Sequence, residues 1–170
     1  TAVDVGTGSG CMAIALARFL PNLQMTAVDI SLAALAIAQQ NGARLAPGRI
    51  HFLQSDLLTA VEGPVDLIVA NLPYVTRGEW QELADGVKLH EPALALDGGD
   101  DGFQVFDRII AQAPRHLRPG GHLILEIGAD QEIEARERIE NVKAYQLAKT
   151  IHDANGLARV LHAKLTKGEA

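Results

Sequence analysis

Residues 1–19 read Thr1-Ala2-Val3-Asp4-Val5-Gly6-Thr7-Gly8-Ser9-Gly10-Cys11-Met12-Ala13-Ile14-Ala15-Leu16-Ala17-Arg18-Phe19. A short apolar strand runs from Thr1 to Val5. A glycine-rich loop follows, and helical spacing begins at Cys11. Glycines let the chain turn tightly and let backbone approach a ligand closely. A strand before such a loop and a helix after it are the context a nucleotide-binding loop requires. Alternating strands and helices of this kind predict an α/β fold built on a parallel sheet.

The next strand, Met25-Thr26-Ala27-Val28-Asp29, ends on a carboxylate. An acidic residue at that place is expected to accept ribose hydroxyls. The glycine spacing is G-x-G-x-G, which lacks the third glycine of the dinucleotide loop, and no P-loop lysine follows. A nucleoside without phosphates fits better, and S-adenosylmethionine is the common one. Ile50-His51-Phe52-Leu53-Gln54 reads as a third strand, with Ser55-Asp56-Leu57 at its carboxyl end. Asp56 suits the adenine amino group and Leu57 its ring, while Asp56 equally suits a helix N-cap. Val65-Asp66-Leu67-Ile68-Val69-Ala70 is a fourth, buried strand. It runs directly into Asn71-Leu72-Pro73-Tyr74. Open α/β sheets bind ligands at the carboxyl ends of their strands. There a carboxamide both accepts and donates hydrogen bonds. A stiff proline turn and an aromatic wall follow it. This set suits holding a planar –NH2 group still, although Asn71 also suits a turn cap and Tyr74 a core position.

Leu32 to Asn41 is strongly helical, with Ser31 as its N-cap and a stop at Asn41-Gly42. Val75 to Asp101 is loop-rich and holds Trp80, His90, Glu91-Pro92 and a Gly-dense Asp97–Gly102. Long irregular stretches in compact domains are usually functional. A helix from Phe103 to His116 presents Phe103, Phe106, Ile109, Ile110 and Ala113 on one face. Pro119-Gly120-Gly121 turns into the strand His122–Ile127, and Gln131 to Asn141 is a charged surface helix. Tyr145–Ala148 and Ala158–Leu165 read as a terminal antiparallel hairpin at the sheet edge, joined by the Asn155-Gly156 turn.

The chain has 170 residues, 48% of them apolar, and a net charge of −6. That length is one domain by prior and the composition is not that of a disordered chain. No apolar run reaches membrane-spanning length. The single Cys11 cannot form an internal disulfide and is expected to be a buried core thiol. Nucleic-acid binding normally wants a basic face. Near residues 71–74 only Arg77 and Lys88 oppose Glu79, Glu82, Asp85 and Glu91. The histidines show no metal-ligand spacing, and no nucleophile set surrounds Ser9.

DVGTGSGCMAIALA, AVDIS, DLIVANLPYV, EPALALDGGDDG, LRPGGHLILEIG and DANGLARVL occur in this order. Together they resemble the release-factor glutamine methyltransferases, of the protein-(glutamine-N5) methyltransferase group, over essentially the whole chain. The resemblance implies a class I methyltransferase fold: a Rossmann-like, mostly parallel seven-stranded sheet with an antiparallel C-terminal hairpin and helices on both faces. Residues 1–170 would be the catalytic domain, cut within its first strand and lacking the family's N-terminal helical docking domain. S-adenosyl-L-methionine would be the cofactor, a peptide chain release factor the protein partner and the cytoplasm the place of action, with neither membrane nor nucleic acid as direct partner. Gly6, Thr7, Gly8, Ser9 and Gly10 would meet the methionine part of the cofactor. Asp29 would hold the ribose, Asp56 and Leu57 would flank the adenine, and Ile30 would also touch the cofactor. Asn71, Leu72, Pro73 and Tyr74 would hold the acceptor amide, with Asn71 also beside the cofactor. The family most often has proline where Leu72 stands. NLPY also occurs in enzymes that dimethylate ribosomal RNA adenines, but these lack the EPALAL stretch. Adenine-N6 methylation of RNA or DNA and glutamine methylation of a ribosomal protein are the alternative activities.

Overall fold

The computed structural model describes residues 1–82 and 96–166. His90 and Glu91, with the rest of residues 83–95, lie outside the described residues. Strands β1 (Ala2–Val5), β2 (Met25–Asp29), β3 (Ile50–Gln54), β4 (Val65–Ala70) and β5 (Leu117–Glu126) pair in parallel in the order β3-β2-β1-β4-β5. Strand β8 (Ala158–Leu165) is antiparallel to β5 and continues the sheet, with β6 (Tyr145–Leu147) and β7 (Ile151–His152) both on its far side. Helices α1 (Cys11–Phe19), α2 (Leu32–Leu45), α3 (Arg77–Glu82), α4 (Gln104–Gln112) and α5 (Glu132–Asn141) complete the described elements.

Alternation along the strands sends side chains to opposite faces. Ala2, Met25 and Ala27 pack with Ala13, Ile14 and Ala17 of α1. Val3, Val5, Val28, Ile68 and Leu123 face the other way, onto Phe106, Ile109 and Ile110 of α4 and Ala135 and Ile139 of α5. Both faces of the parallel sheet are therefore covered, as parallel sheets require.

Several local expectations change. The sheet has eight strands, because the sixth expected strand is followed by the short β7 on the same edge of β8. The terminal antiparallel hairpin stands at the sheet edge as expected, with β8 inserted between β5 and β6 so that both of its ladders are used. Helix α2 does not stop at Asn41-Gly42 but runs on to Leu45. A Cβ on Gly42 would stand 2.8 Å from the Phe52 ring of β3, so this glycine serves close helix–sheet packing and not a helix stop. Ser31 caps α2 as expected, accepting the Ala34 N–H at 3.2 Å. Helix α4 gives way to a 3-10 turn at Ala113–Arg115, where Pro114 has no N–H to continue the ladder. Strand β5 starts at Leu117, with Pro119-Gly120-Gly121 inside it as an irregularity opposite Val65–Leu67. Within the loop-rich stretch, Thr76 and Glu79 form a reciprocal capping box that starts α3. Cys11 is exposed, at the first residue of α1, and not in the core.

Helix propensity alone would favour alanine over glycine inside α2 by about 1 kcal/mol. The Phe52 contact reverses this, since overpacking typically costs about 1–3 kcal/mol. Gly42→Ala is expected to lower the melting temperature by about 2–4 °C, read by calorimetry. A rise would mean that Phe52 yields freely.

Candidate functional site at the carboxyl edge of the sheet

Parallel pairing puts Leu53, Val28, Val5, Ala70 and Leu125 side by side across five strands. The residues one step further on are Gln54, Asp29, Gly6, Asn71 and Glu126. They form the row at which these strands end or turn, and every sequence-derived site residue lies on it or within a few residues of it. Neighbouring strands are roughly 4.8 Å apart, so Asp29 and Asn71, two strands from each other, are roughly 10 Å apart along this row.

The glycine loop is held from below and from the side. Gly6 N–H and Thr7 N–H both donate to the Val28 carbonyl, at 2.9 and 3.0 Å. Gly8 N–H donates to Asp29 Oδ2 at 2.9 Å, and Ser31 N–H to Asp29 Oδ1 at 2.9 Å. Asp29 thus ties the loop to the end of β2 while each oxygen keeps spare lone pairs. Gly8 has φ +57° and nothing within 4 Å of where its Cβ would be. It is required by backbone conformation and faces open space. Gly10 has φ +83° and starts α1, and a Cβ there would press on Ala38 of α2 at 3.2 Å. Ile30, next to Asp29, is about half exposed.

Asp4 belongs to this site, though only the glycines and Asp29 stood out in the sequence. It is fully buried at the end of β1. Its Oδ2 accepts the Thr7 hydroxyl at 2.7 Å and the Ala13 N–H at 3.1 Å. Its Oδ1 has no hydrogen-bond partner among the described residues. Burial pushes its pKa up to about 6, against the two hydrogen bonds and with a small push from the Asp29 charge. A lone carboxylate inside an apolar strand was the available signal for it.

At the end of β3, Ser55 N–H donates to the Asp29 carbonyl at 3.0 Å, which brings this turn beside β2. The turn is capped by Ser55, whose Oγ accepts the Ala60 N–H at 3.1 Å, so the N-cap alternative for Asp56 does not hold. The Asp56 carboxylate instead pairs with Arg108 of α4 at 2.6 Å. Leu57 adopts φ +52°, a left-handed conformation costly for a non-glycine residue. Its side chain turns into the α4-side core and leaves 7% of its surface exposed.

Asn71 is exposed, and its carboxamide makes no hydrogen bond to another described residue. Leu72 goes the other way. Its side chain is in the core, and its Cδ2 would be 3.2 Å from a Cβ on Gly6, so the strand-four turn and the glycine loop pack directly together. Pro73 and Tyr74 are half-buried and line a small pocket with Gly102, Phe106, Glu126 and Gln131. The chain beyond them is strapped to residues 96–99: Val75 N–H to the Leu96 carbonyl at 3.0 Å, Gly98 N–H to Val75 at 2.8 Å and Arg77 N–H to Gly99 at 3.2 Å. Arg138 of α5 pairs with Asp101, Asp107 and Glu134, and its guanidinium stacks 4.2 Å from the Phe103 ring centroid. Arg77 is engaged by Asp100 at 2.7 Å, so this end of the site has no unpaired basic side chain among the described residues within the turn and strap. Among the described residues no helix is long and apolar enough to cross a membrane.

Residues 1–88 match the family model of the methyltransferase small domain. The release factor glutamine methyltransferase of Cereibacter sphaeroides is 43% identical over 97% of this chain and 59% of its own length. That of Gloeobacter violaceus is 40% identical over 94% of this chain and 56% of its own. The ribosomal protein uL3 glutamine methyltransferase of Xanthomonas campestris pv. campestris is 44% identical over 77% of this chain and 42% of its own. The chain thus spans less than two thirds of the length of these curated relatives. Among solved structures, ribosomal protein L11 methylase from Lactobacillus delbrueckii subsp. bulgaricus superposes with a TM-score of 0.72 at 25% identity, over 97% of this chain and 69% of that one.

The raised pKa of Asp4 has a definite consequence for stability. The unfolded chain loses this proton near pH 3.8 and the folded one near 6. The folded state therefore carries no penalty below the unfolded value, and loses stability as pH rises from there to about 6. Asp4→Asn removes the penalty. Without ligand, its stability relative to the wild type should improve by about 3 kcal/mol between pH 3.5 and 7, read from urea titrations. A difference independent of pH would mean that Asp4 ionises normally.

Proposed function

The chain belongs to the methyltransferase small domain family, and from that premise we propose that it transfers a methyl group from S-adenosylmethionine to the side-chain amide nitrogen of a protein glutamine. The acceptor we propose is the Gly-Gly-Gln loop of a peptide chain release factor, which puts the reaction in the cytoplasm. The carrying observation is the exposed Asn71 carboxamide at the end of β4, beside the glycine loop. The names and identities of the relatives support the choice of glutamine and of release factor.

The residues present fit the cofactor. A buried carboxylate with one unpartnered oxygen, flanked by the glycine loop, wants a cationic partner, because a buried charge is costly unless paired. The ammonium of the cofactor's methionine part is such a group. Gly6, Thr7, Gly8, Ser9 and Gly10 would carry the rest of that part, and Gly8 has the open space for it. Asp29 retains acceptor capacity for the ribose, with Ile30 beside it. Asp56 stands at the adenine end, with only an edge of Leu57 exposed. When bound, the cofactor supplies a methyl on a sulfonium, already strongly electrophilic.

The protein's own task is then orientation. An amide nitrogen is a poor nucleophile, because its lone pair is delocalised into the carbonyl. The Asn71 side-chain oxygen and the Leu72 carbonyl would accept its two N–H groups, drawing them out of the amide plane and freeing the lone pair. Fixed acceptors lower the barrier by placement and by stabilising the positive charge that develops on nitrogen. On the bound cofactor the nitrogen would form its bond to the methyl carbon as that carbon's bond to sulfur breaks, and its then acidic proton would leave to solvent, so no general base would be needed beforehand. Leu72 keeps the carbonyl that the commoner proline would offer, and its buried side chain anchors the turn against Gly6. Tyr74 would wall the acceptor side chain.

Radiolabelled adenosylmethionine should be offered a release factor and small-subunit ribosomal RNA side by side. Label on the release factor, lost when its Gly-Gly-Gln glutamine is mutated, is the expected result. Label on RNA would overturn the glutamine reading, and label on another protein glutamine would overturn the release-factor target. Asn71→Ala should cut turnover by about 100-fold or more with cofactor affinity within a few-fold. Asp29→Ala should instead weaken cofactor binding by about tenfold or more, measured by calorimetry. Normal binding by Asp29→Ala would move the ribose elsewhere.

A further inference from the structure

We propose that Gln131 is a positioning residue for methyl transfer, setting the backbone of the Asn71–Tyr74 turn through its side-chain carboxamide. This rests on the reading of Asn71 as the residue that grips the acceptor amide.

Gln131 occupies the N-cap of α5, yet its side chain makes no capping hydrogen bond. Glutamine is not among the favoured N-cap residues, so helix capping does not account for it. The side chain instead reaches back to the carboxyl edge of the sheet. Its Oε1 accepts the Gly128 N–H at 2.9 Å, just beyond β5. Its Nε2 donates to the Tyr74 carbonyl at 3.2 Å. One end of the carboxamide must accept and the other must donate, so the two partners together fix its orientation. The acceptor carbonyl lies three residues beyond Asn71, and Pro73 between them has a locked φ. A displacement of the Tyr74 carbonyl therefore passes along a stiff segment to Asn71.

The surrounding backbone leaves room for this bond and little else. A Cβ on Gly102 would stand 2.6 Å from the Tyr74 oxygen and 2.7 Å from Gln131 Nε2. One on Gly98 would stand 2.9 Å from the Tyr74 carbonyl carbon, and one on Gly128 3.0 Å from Gln131 Oε1. Three glycines from two separate segments thus converge on a single side-chain-to-backbone contact. Gln131 also lines the pocket that Leu72, Pro73 and Tyr74 border. Capping cannot explain this convergence. Setting the turn that carries Asn71 does.

The test is a double-mutant cycle, with turnover measured on the acceptor that takes the label. Gln131→Leu removes both hydrogen bonds. Gln131→Glu keeps an oxygen for Gly128 but places a carboxylate against the Tyr74 carbonyl. Both should lower kcat about tenfold or more, since small misplacements at a reacting centre cost up to about 100-fold. Cofactor affinity should stay within threefold of the wild type. In the Asn71→Ala background, Gln131→Leu should cost nothing further, because its effect runs through Asn71. Full turnover by Gln131→Glu, or a loss that multiplies with that of Asn71→Ala, would overturn the proposal. So would a loss that merely follows the unfolded fraction. If Asn71→Ala itself left turnover intact, the reading of the site would fail. A normal Gln131→Leu beside a crippled Asn71→Ala would sink only the positioning role.

Discussion

Strand β1 pairs in parallel with β2 on one side and β4 on the other, in continuous register from Ala2 to Val5. Everything at the candidate site follows from this central pairing. Parallel strands end on the same edge, so turns distant in sequence meet there without any loop having to travel. Gly6, Asp29, Gln54 and Asn71 come together because Val5, Val28, Leu53 and Ala70 are ladder neighbours. A one-residue slip of β4 against β1 would flip every β4 side chain to the other face. It would turn Ile68 and Ala70 away from the core they share with Val3 and Val5, and carry Leu67 from the opposite core into their place. The hydrophobic division of the strands between the two cores is what forbids that slip.

The central strand also carries the least comfortable residue in the fold. Asp4 is buried among apolar side chains, with two donors on one oxygen and none among the described residues on the other. A carboxylate so placed works against stability at neutral pH. The cationic group of the proposed cofactor would offset that cost. The same economy holds for Leu57, whose left-handed backbone is sustained by a buried side chain at the end of β3. Local discomfort of this kind collects at the strand ends that form the site, and the well-packed interior beneath tolerates it.

The second half of the chain braces the turn after β4, where the proposed acceptor site stands. Residues 96–99 strap the segment after Tyr74, and Gly98 and Gly102 let that strap lie directly on the turn. Arg138 then fastens the strap's far end and the start of α4 to α5. The turn after β4 is thus held from three directions: by Leu72 in the core, by the strap and by Gln131. Such bracing suits a site whose chemistry depends on alignment more than on proton transfer.

The alternation of strand, glycine turn and helix was legible in the chain. So were the N-cap at Ser31, the carboxylate ending β2, and the strand running into Asn71-Leu72-Pro73-Tyr74. These depend on neighbours within a few residues, where apolar periodicity and turn chemistry act. The C-terminal strands were legible as an antiparallel hairpin, but the two-residue β7 between them was not, since so short a strand is decided by the open ladder of β8 and not by its own residues. Gly42 read as a helix stop because its reason, the Phe52 ring, comes from another element. Cys11 read as core because its helix is apolar, while its place at the first turn exposes it. Asp4, Leu57 and Gln131 owe their roles to burial and to partners elsewhere in the fold. Residue types and their local order determined which elements form and which side chains can do chemistry. The tertiary structure alone decided which of those side chains meet, because hydrogen bonds such as Gln131 to Tyr74 join residues that only the packed sheet brings within reach.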